Sequence, residues 1–281
     1  MINLEIGLTK KEQIFYSLKE SLIKMLKETT TSELIQNYTT YGFAVLNTLL
    51  EDQDLPNFEL LKLENSALFY EKDDTTLRSL YHLQNSKHFI EWLEKQTWIK
   101  AIVGPFLGPN FYLHQTKINI KNQDISSIWP FHRDFPFWNV FDHIPSNKMM
   151  NIAIFLDDVN AGSGELIVIP GSHTEFLERE EQNKSTEYSI DGSASSDLLF
   201  NFTDQEIEIF KNKMGSQNII GPKGTVLAFD ANLIHGSGNS LENQSRKLLI
   251  LTFNSCENLP TAVSERPEYL CSKDHRPIVW R

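Results

Sequence analysis

Two residue types with metal-binding chemistry stand close together in an aromatic and proline-rich stretch, residues 129–138. His132 and Asp134 are two positions apart within it. On an extended strand, residues i and i+2 point to the same face, so one metal ion could be held by both side chains. The pair alone is a weak signal, because short His/Asp pairs occur by chance in many chains. A third ligand is needed to predict a site.

His235 is the candidate third ligand. It follows a predicted strand and precedes a turn of small residues, Gly236-Ser237-Gly238. Two histidines and one carboxylate occupy one face of a metal ion and leave the other positions open, which suits non-haem Fe(II) enzymes that activate oxygen. Zinc accepts the same ligands, usually in a tetrahedral site with one open position, so the ligand types do not choose between the two metals.

A third basic group, Arg246, begins a predicted strand downstream of His235. A guanidinium pairs with a carboxylate through two parallel hydrogen bonds. An arginine that leads into an apolar strand must find either an anion or water. Without the metal ligands, an exposed arginine on an edge strand would be the better interpretation.

These four residues together resemble the site of the phytanoyl-CoA dioxygenase family of Fe(II)/2-oxoglutarate oxygenases. Within that family, the sequence is similar to the ectoine hydroxylase-like branch. The likeness extends from about Tyr41 to the C-terminus. The segments that carry it are Phe131–Phe135 with Trp138, Ile169–His173, Phe229–Ser237 and Arg266–Leu270.

The resemblance implies a fold and a set of cofactors. The fold is mainly β with flanking helices: a double-stranded β-helix, which is a jelly-roll, cupin-like barrel. The implied cofactors are Fe(II), 2-oxoglutarate and O2. His132, Asp134 and His235 would be the metal ligands. Arg246 and Ser237 would bind the far carboxylate of 2-oxoglutarate.

A predicted strand over residues 111–120 carries three polar side chains at alternate positions, Gln115, Lys117 and Asn119. By pattern alone, such a triplet is equally well a solvent-exposed face. The resemblance implies that this face lines the pocket, with Asn119 helping to bind 2-oxoglutarate and with Gln115 and Lys117 nearer the substrate.

Aromatic residues after the His132 motif are the remaining substrate candidates. Trp138 matches an aromatic wall of the substrate site in the family, and Phe135 is also predicted to contact the substrate. Phe135 and Phe137 would make the mouth of this pocket more apolar than an amino acid requires.

The resemblance implies hydroxylation of an unactivated C–H bond in a small metabolite, an amino acid or amino-acid-like compound, with release of succinate and CO2. Related halogenases have a small residue at the Asp134 position, so the carboxylate favours hydroxylation, although desaturation or cyclisation would use the same ligands. One alternative is a larger lipid-like or terpenoid substrate. Another is an inactive jelly-roll binding module, which has no need to retain all four residues.

The elements that must position these residues are mostly strands. Short strands separated by turns begin near residue 111 and are typical of a sandwich or barrel. We predict one oxygenase domain, 1–281. It consists of a mostly helical scaffold over about 1–100, a jelly-roll core over about 101–254 and a tail over 255–281. The scaffold includes one predicted strand at 42–46. The core contains a polar insertion near 177–217, with a predicted helix at 203–214. The predicted core strands are 111–120, 151–156, 165–169, 224–229 and 247–253.

Composition limits the class of partner. The net charge of −11 argues against general affinity for nucleic acid or anionic membranes. Two cysteines do not form a disulfide framework, and no signal peptide or run of about 20 apolar residues is present. We therefore predict a cytoplasmic protein with a small-molecule substrate, and the sequence carries no signal for an oligomeric state.

Overall fold

Two antiparallel β-sheets with helices packed against them form the described part of the protein. The computed structural model describes residues 32–47, 49–64, 67–71, 73–122, 128–177, 200–240 and 245–281. A predicted amphipathic helix from Thr9 to about Lys27 and much of the polar insertion lie outside these ranges.

Eleven strands and six α-helices are found in the described ranges. The strands are β1 (Phe43–Leu46), β2 (Leu68–Tyr70), β3 (Leu77–Tyr81), β4 (Phe111–Lys121), β5 (Trp129–His132), β6 (Met149–Phe155), β7 (Leu166–Val168), β8 (Gln217–Ile219), β9 (Val226–Asp230), β10 (His235–Ser237) and β11 (Arg246–Ser255). The helices are α1 (32–41), α2 (Phe58–Glu64), α3 (Lys87–Leu93), α4 (Thr97–Leu107), α5 (Phe135–Phe141) and α6 (Asp204–Met214).

The larger sheet has the strand order β1-β9-β6-β11-β4-β3-β2, and the smaller sheet has the order β5-β10-β7-β8. Neighbouring strands are antiparallel throughout, and β11 is the centre of the larger sheet, paired along most of its length with β4 and β6. This arrangement confirms the predicted jelly-roll class. The solved structures that share the fold are described with the site below.

The central strand β6 shows how the core is built, because it is buried on both faces. Ala153 and Phe155 pack between the two sheets, together with Leu227 and Leu248. The alternate residues, including Ile152, pack on the other side against the helices. The centre of the larger sheet is therefore covered on both faces, and its inner face forms one wall of the barrel.

The first hundred residues differ from the prediction of a mostly helical scaffold. They contribute three strands to the larger sheet, and only β1 was predicted. β3 pairs with β4 through contacts such as Ser79 with Asn119, a non-local pairing that leaves little trace in the local sequence pattern. The helix predicted to end near Trp98 is two helices, α3 and α4, separated by residues 94–96.

The helix predicted over 203–214 is confirmed as α6. Thr203 is its N-cap and accepts a hydrogen bond from the backbone N–H of Glu206, whose side chain accepts one in return from the Thr203 N–H. This reciprocal capping box satisfies two amide groups that the first turn of a helix leaves without partners.

Both cysteines, Cys256 and Cys271, are free thiols. Within the described ranges, we find no helix that combines the length and the apolar character needed to cross a membrane.

Candidate active site

Two of the predicted metal ligands lie directly opposite each other in the smaller sheet. His235 on β10 is the cross-strand partner of His132 on β5, and the centroids of their rings are 4.3 Å apart. Gly236 follows His235, and a Cβ atom there would lie 3.0 Å from the backbone oxygen of Trp129. A glycine at this position therefore lets the two strands approach closely enough for the imidazoles to meet.

Asp134 reaches the histidines by a different route from the one the sequence predicted. β5 ends at His132, and Asp134 has helical backbone angles, φ −78° and ψ −41°, at the start of α5. The backbone N–H groups of Asp134 and Phe135 both donate to the Ala231 oxygen, at 3.0 and 2.9 Å. The turn into α5, rather than strand alternation, therefore directs the carboxylate toward the imidazoles.

The three side chains present their ligand atoms to one point. The Asp134 Oδ1 and Oδ2 atoms lie 3.5 Å from His132 Nε2 and 3.7 Å from His235 Nε2, respectively. Each Nδ1 is 2.7–3.0 Å from a backbone oxygen, Pro130 for His132 and Leu233 for His235. Because a carbonyl can only accept, each Nδ1 carries the proton and each Nε2 offers a lone pair.

The charges in this cluster also fit a divalent cation. Burial lowers the pKa of His235 to about 4, and the neighbouring His132 adds to the effect, so His235 is neutral at neutral pH. Burial opposes ionisation of Asp134, but His235 and His132 outweigh it and hold the pKa of the carboxyl well below its usual range. Two neutral imidazoles and one carboxylate are the forms that bind metal.

The carboxylate is held by a residue that the sequence did not single out. Asn151 on β6 donates from Nδ2 to Asp134 Oδ2 at 2.8 Å. Thr252 on β11, its cross-strand partner, donates to Asn151 Oδ1 at 2.7 Å and so fixes the orientation of the amide. Both residues are buried. A buried asparagine within a strand is not in itself a recognisable signal.

We expect Asn151→Leu to weaken Fe(II) binding about 10- to 100-fold, because groups that orient a metal ligand typically contribute that much. Anaerobic Fe(II) titration in the presence of 2-oxoglutarate, followed by visible charge-transfer absorption, measures the affinity. Thr252→Val is the control and should weaken Fe(II) binding less, since it removes only the hydroxyl that orients Asn151. A folded Asn151→Leu protein with wild-type Fe(II) affinity would contradict this role.

A cavity opens beside the three ligand atoms and contains most of the predicted site residues. Trp138 contributes to its wall, and so does Phe137. The predicted polar residues that line it are Gln115, Lys117, Asn119, Ser237 and Arg246. The larger sheet thus supplies one polar row from β4, in agreement with the pocket-facing interpretation of that strand.

Phe135 is not among the residues that line this cavity. It packs instead in a partly buried position against the cluster that includes Trp129 and Ile144. The reason is that α5 begins immediately after Asp134, so helical rather than extended spacing applies, and Phe137 and Trp138 face the cavity. Phe137, rather than the predicted Phe135, therefore lies on the cavity wall.

One end of the cavity has the groups that a carboxylate requires. Arg246 is 2% exposed, and its one hydrogen bond within the described ranges runs from Nε to the Gly164 oxygen, 2.9 Å. Burial lowers its pKa to about 10, partly offset by Glu165, so it stays charged at neutral pH. Among the described residues, Ser237 Oγ and Asn119 Oδ1 are buried and find no hydrogen-bond partner. Buried polar atoms of this kind usually have a partner, and a dicarboxylate would supply an anion for Arg246 and a partner for the Ser237 hydroxyl.

Arg266, from the C-terminal tail, also lines the cavity. Its Nη1 donates to Asp142 Oδ2 at 2.8 Å, and the same carboxylate accepts from His114 Nε2 at 3.0 Å and from Ser264 Oγ at 2.9 Å. Because His114 alternates with Gln115 on β4, the sequence predicts it to be a core residue; it is buried, but it belongs to this network rather than to an apolar core. The resemblance had included the Arg266 segment without assigning it a role.

The tail is tied to the polar row of β4. Gln115 Nε2 donates to the backbone oxygen of Leu270 at 2.7 Å. Lys117 Nζ lies 5.9 Å from the centroid of the Tyr81 ring. The hydrogen bond to Leu270 holds the C-terminal tail, which contributes Arg266 to the cavity wall, against β4.

Comparison with known proteins agrees with this geometry. The sequence matches the phytanoyl-CoA dioxygenase (PhyH) family over residues 40–248. It is 33% identical over 252 residues to L-proline trans-4-hydroxylase of Streptomyces griseoviridis, covering 86% of this chain and 92% of that protein. It is 28% identical over 260 residues to ectoine dioxygenase of Nocardia farcinica (strain IFM 10152), covering 88% and 87%.

The fold is shared with a crystal structure of EctD from S. alaskensis with 2-oxoglutarate and 5-hydroxyectoine. The TM-score is 0.72 at 22% identity, and the match covers 88% of this chain and 85% of that one. The family match spans most of the chain, and both curated relatives align over more than four fifths of their length. The chain therefore belongs to the phytanoyl-CoA dioxygenase family and is an Fe(II)- and 2-oxoglutarate-dependent dioxygenase.

Proposed function

We propose that this enzyme hydroxylates an unactivated C–H bond of a small amino acid or amino-acid-like compound, with release of succinate and CO2. The observation that carries the proposal is Arg266, a second buried guanidinium on the cavity wall besides Arg246. Arg246 is required for the cosubstrate, which leaves Arg266 to recognise an anionic group of the substrate. Two relatives named for their action on L-proline and ectoine support the same class.

Each residue of the site would have a definite task. His132, Asp134 and His235 would hold Fe(II), and Arg246, Ser237 and Asn119 would hold 2-oxoglutarate. Bound iron, 2-oxoglutarate and O2 together supply the oxidising power for the reaction. Phe137 and Trp138 would exclude water from the reacting carbon, and Gln115, Lys117 and Arg266 would orient the substrate through its polar groups.

The chemistry of Arg266 favours this substrate class over a lipid-like or terpenoid compound. Its guanidinium is paired with Asp142 and also borders the cavity, so a substrate carboxylate in the cavity would lie beside a buried positive charge. A purely apolar substrate would remove water from this charge without replacing the lost hydrogen bonds, which is costly. A binding module without catalysis would not need the complete set of metal ligands.

Succinate release tests the proposal. Purified Fe(II)-loaded enzyme is incubated with 2-oxoglutarate, O2 and single candidates: L-proline, ectoine, other free amino acids, fatty acids and terpenoids. We expect at least one amino-acid-like compound to raise succinate formation above the substrate-free rate and to gain one oxygen atom by mass spectrometry. Stimulation by lipid-like compounds alone would overturn the substrate class.

Arg266→Lys is the matched variant, because it keeps the charge beside Asp142 but loses the planar fork. We expect the KM for the accepted substrate to rise about 10-fold or more, as for loss of one charge-assisted hydrogen bond of 1.5–3 kcal/mol. The KM for 2-oxoglutarate should not change. Equal increases in both constants would show that Arg266 does not act on the substrate.

We also propose a cytoplasmic location. The two free thiols, one of them buried, are consistent with a reducing compartment.

A further inference from the structure

The polar row on β4 does not end at Asn119. It continues with Lys121, which is directly opposite Arg246 in the register of β4 and β11. Directly opposite residues on antiparallel strands project to the same face, so both cations point into the barrel. Lys121 is 1% exposed and Arg246 is 2% exposed. Lys121 is not on the cavity wall, and neither metal binding nor substrate binding accounts for a lysine buried at this depth.

Lys121 and Arg246 hold two adjacent pieces of backbone at the cosubstrate end of the cavity. Lys121 Nζ donates to the Gly238 oxygen at 3.0 Å, immediately after Ser237. Arg246 Nε donates to the Gly164 oxygen at 2.9 Å. Gly164 has φ +71°, and a Cβ atom there would lie 3.2 Å from Lys121 Cγ. Lys121 thus supports the segment that presents Ser237, and it lies beside the segment that Arg246 contacts.

The charged groups around Lys121 have an excess of positive charge. Among the residues that the structure describes, three cations and two carboxylates of this group are buried: Arg78 from β3, Lys121, Arg246, Glu71 after β2 and Glu165 before β7. Arg246, Arg78 and Glu71 interact electrostatically with Lys121, and Glu165 does so with Arg246. Arg78 and Glu71 form an ion pair at 3.8 Å. Glu165 accepts hydrogen bonds from Asn218 and from the Gly162 backbone. With all five groups ionised, this set has a net charge of +1, and one carboxylate from a ligand would neutralise it.

The pKa of Lys121 depends on its burial and on these neighbouring charges. Burial lowers its pKa to about 7, with further lowering by Arg246 and Arg78 and a partial increase from Glu71. A carboxylate placed beside Arg246 would raise the Lys121 pKa again, because an anion favours the charged ammonium. Between the pKa of Lys121 in the free protein and its higher pKa in the complex, Lys121 is mostly neutral in the free protein and mostly charged in the complex.

We propose that Lys121 is a positioning residue for 2-oxoglutarate and that it takes up one proton from solvent when the cosubstrate binds beside Arg246. The only bond formed is the third Nζ–H, and the carboxylate of the ligand stays ionised. The cosubstrate therefore binds most tightly when Lys121 is already charged, at low pH, and more weakly as the pH rises through 7 and above. The inference rests on cosubstrate binding, not on the proposed substrate class.

Isothermal titration calorimetry tests this directly. 2-Oxoglutarate is titrated anaerobically into the Fe(II)-loaded enzyme at pH 7.5, in buffers that differ in ionisation enthalpy, so that the slope reports the protons taken up. If binding raises the Lys121 pKa by about one unit, from about 7 to about 8, we expect the wild type to take up about half a proton at pH 7.5. The wild-type Kd should then rise about 6-fold between pH 6.5 and 8.5.

Two variants isolate Lys121. Lys121→Met removes the titrating group, and Lys121→Arg keeps a permanent charge, so both should lose the proton uptake and show a Kd that varies little with pH. Lys121→Arg also provides the test if the methionine variant does not fold. Lys247→Met is the matched control, because Lys247 is the next residue after Arg246 but is paired with Asp157 at 2.9 Å. The Lys247→Met variant should take up as many protons on binding 2-oxoglutarate as the wild type does.

Two results would overturn the proposal. One is a wild-type enzyme that binds 2-oxoglutarate without proton uptake. The other is uptake that persists unchanged in a folded Lys121 variant, which would assign the proton to another group. Because no hydroxylation substrate is present in these titrations, neither result depends on what the enzyme hydroxylates.

Discussion

Asp134→Ala is expected to abolish succinate formation, with a loss of more than about 100-fold. The carboxylate supplies the only anionic ligand of the three-residue cluster, and even groups that merely orient a metal ligand contribute about 10- to 100-fold. Without it, two neutral imidazoles would face a divalent cation with no charge compensation. Anaerobic Fe(II) titration with 2-oxoglutarate should show no visible charge-transfer band at iron concentrations that saturate the wild type.

The control for this variant is Asp52→Ala. Asp52 is 78% exposed in its side chain and pairs on the surface with Lys223 at 3.2 Å, so its loss should leave both the absorption band and the rate unchanged. A folded Asp134→Ala protein that still forms succinate at the wild-type rate would rule out the ligand assignment.

Arg246→Met is expected to raise the KM for 2-oxoglutarate by about two to three orders of magnitude. Breaking a buried ion pair by removing one partner costs about 3–5 kcal/mol, since the other charge is left uncompensated, and each 1.4 kcal/mol corresponds to about a factor of ten. Arg246 is nearly fully buried, so solvent would not screen the loss. Initial rates of succinate formation against 2-oxoglutarate concentration provide the measurement.

Two further variants serve as controls for Arg246→Met. Arg246→Lys should give a smaller increase, because an ammonium keeps the charge but loses the bidentate geometry. Arg276→Met should have no effect, because Arg276 is exposed and pairs only with Asp274 in the tail. If Arg246→Met leaves the KM unchanged while the protein remains folded, another group anchors the cosubstrate.

Some strands and site residues lie where the sequence predicts them, and others do not. The strands β6, β9 and β11 could be predicted from apolar runs that are flanked by turn residues, and β4 from its alternation of polar and apolar side chains. β3 was missed, because its strand character depends on pairing with β4, about 40 positions away in the sequence. Trp138 faces the cavity as predicted, whereas Phe135 does not, since the start of α5 changes the spacing from extended to helical.

The sequence by itself determined the chemistry of this protein. The types of the residues at positions 132, 134, 235 and 246 are enough to predict a metal-binding triad and a cation for a carboxylate. The resemblance of the surrounding motifs to a known family adds iron and 2-oxoglutarate. Side-chain chemistry is a local property, so it can be read from the chain without knowing the fold.

Only the tertiary structure decided how those groups are held and which others join them. Asn151 and Lys121 have no distinguishing neighbours in the sequence, and the segment that contains Arg266 was recognised without a role for that residue. Each gains its role from a partner on another element: Asp134, Asp142 and the Arg246 cluster. Electrostatic interactions and hydrogen bonds depend on distances in space and on burial, and the packing of two sheets and a tail sets both.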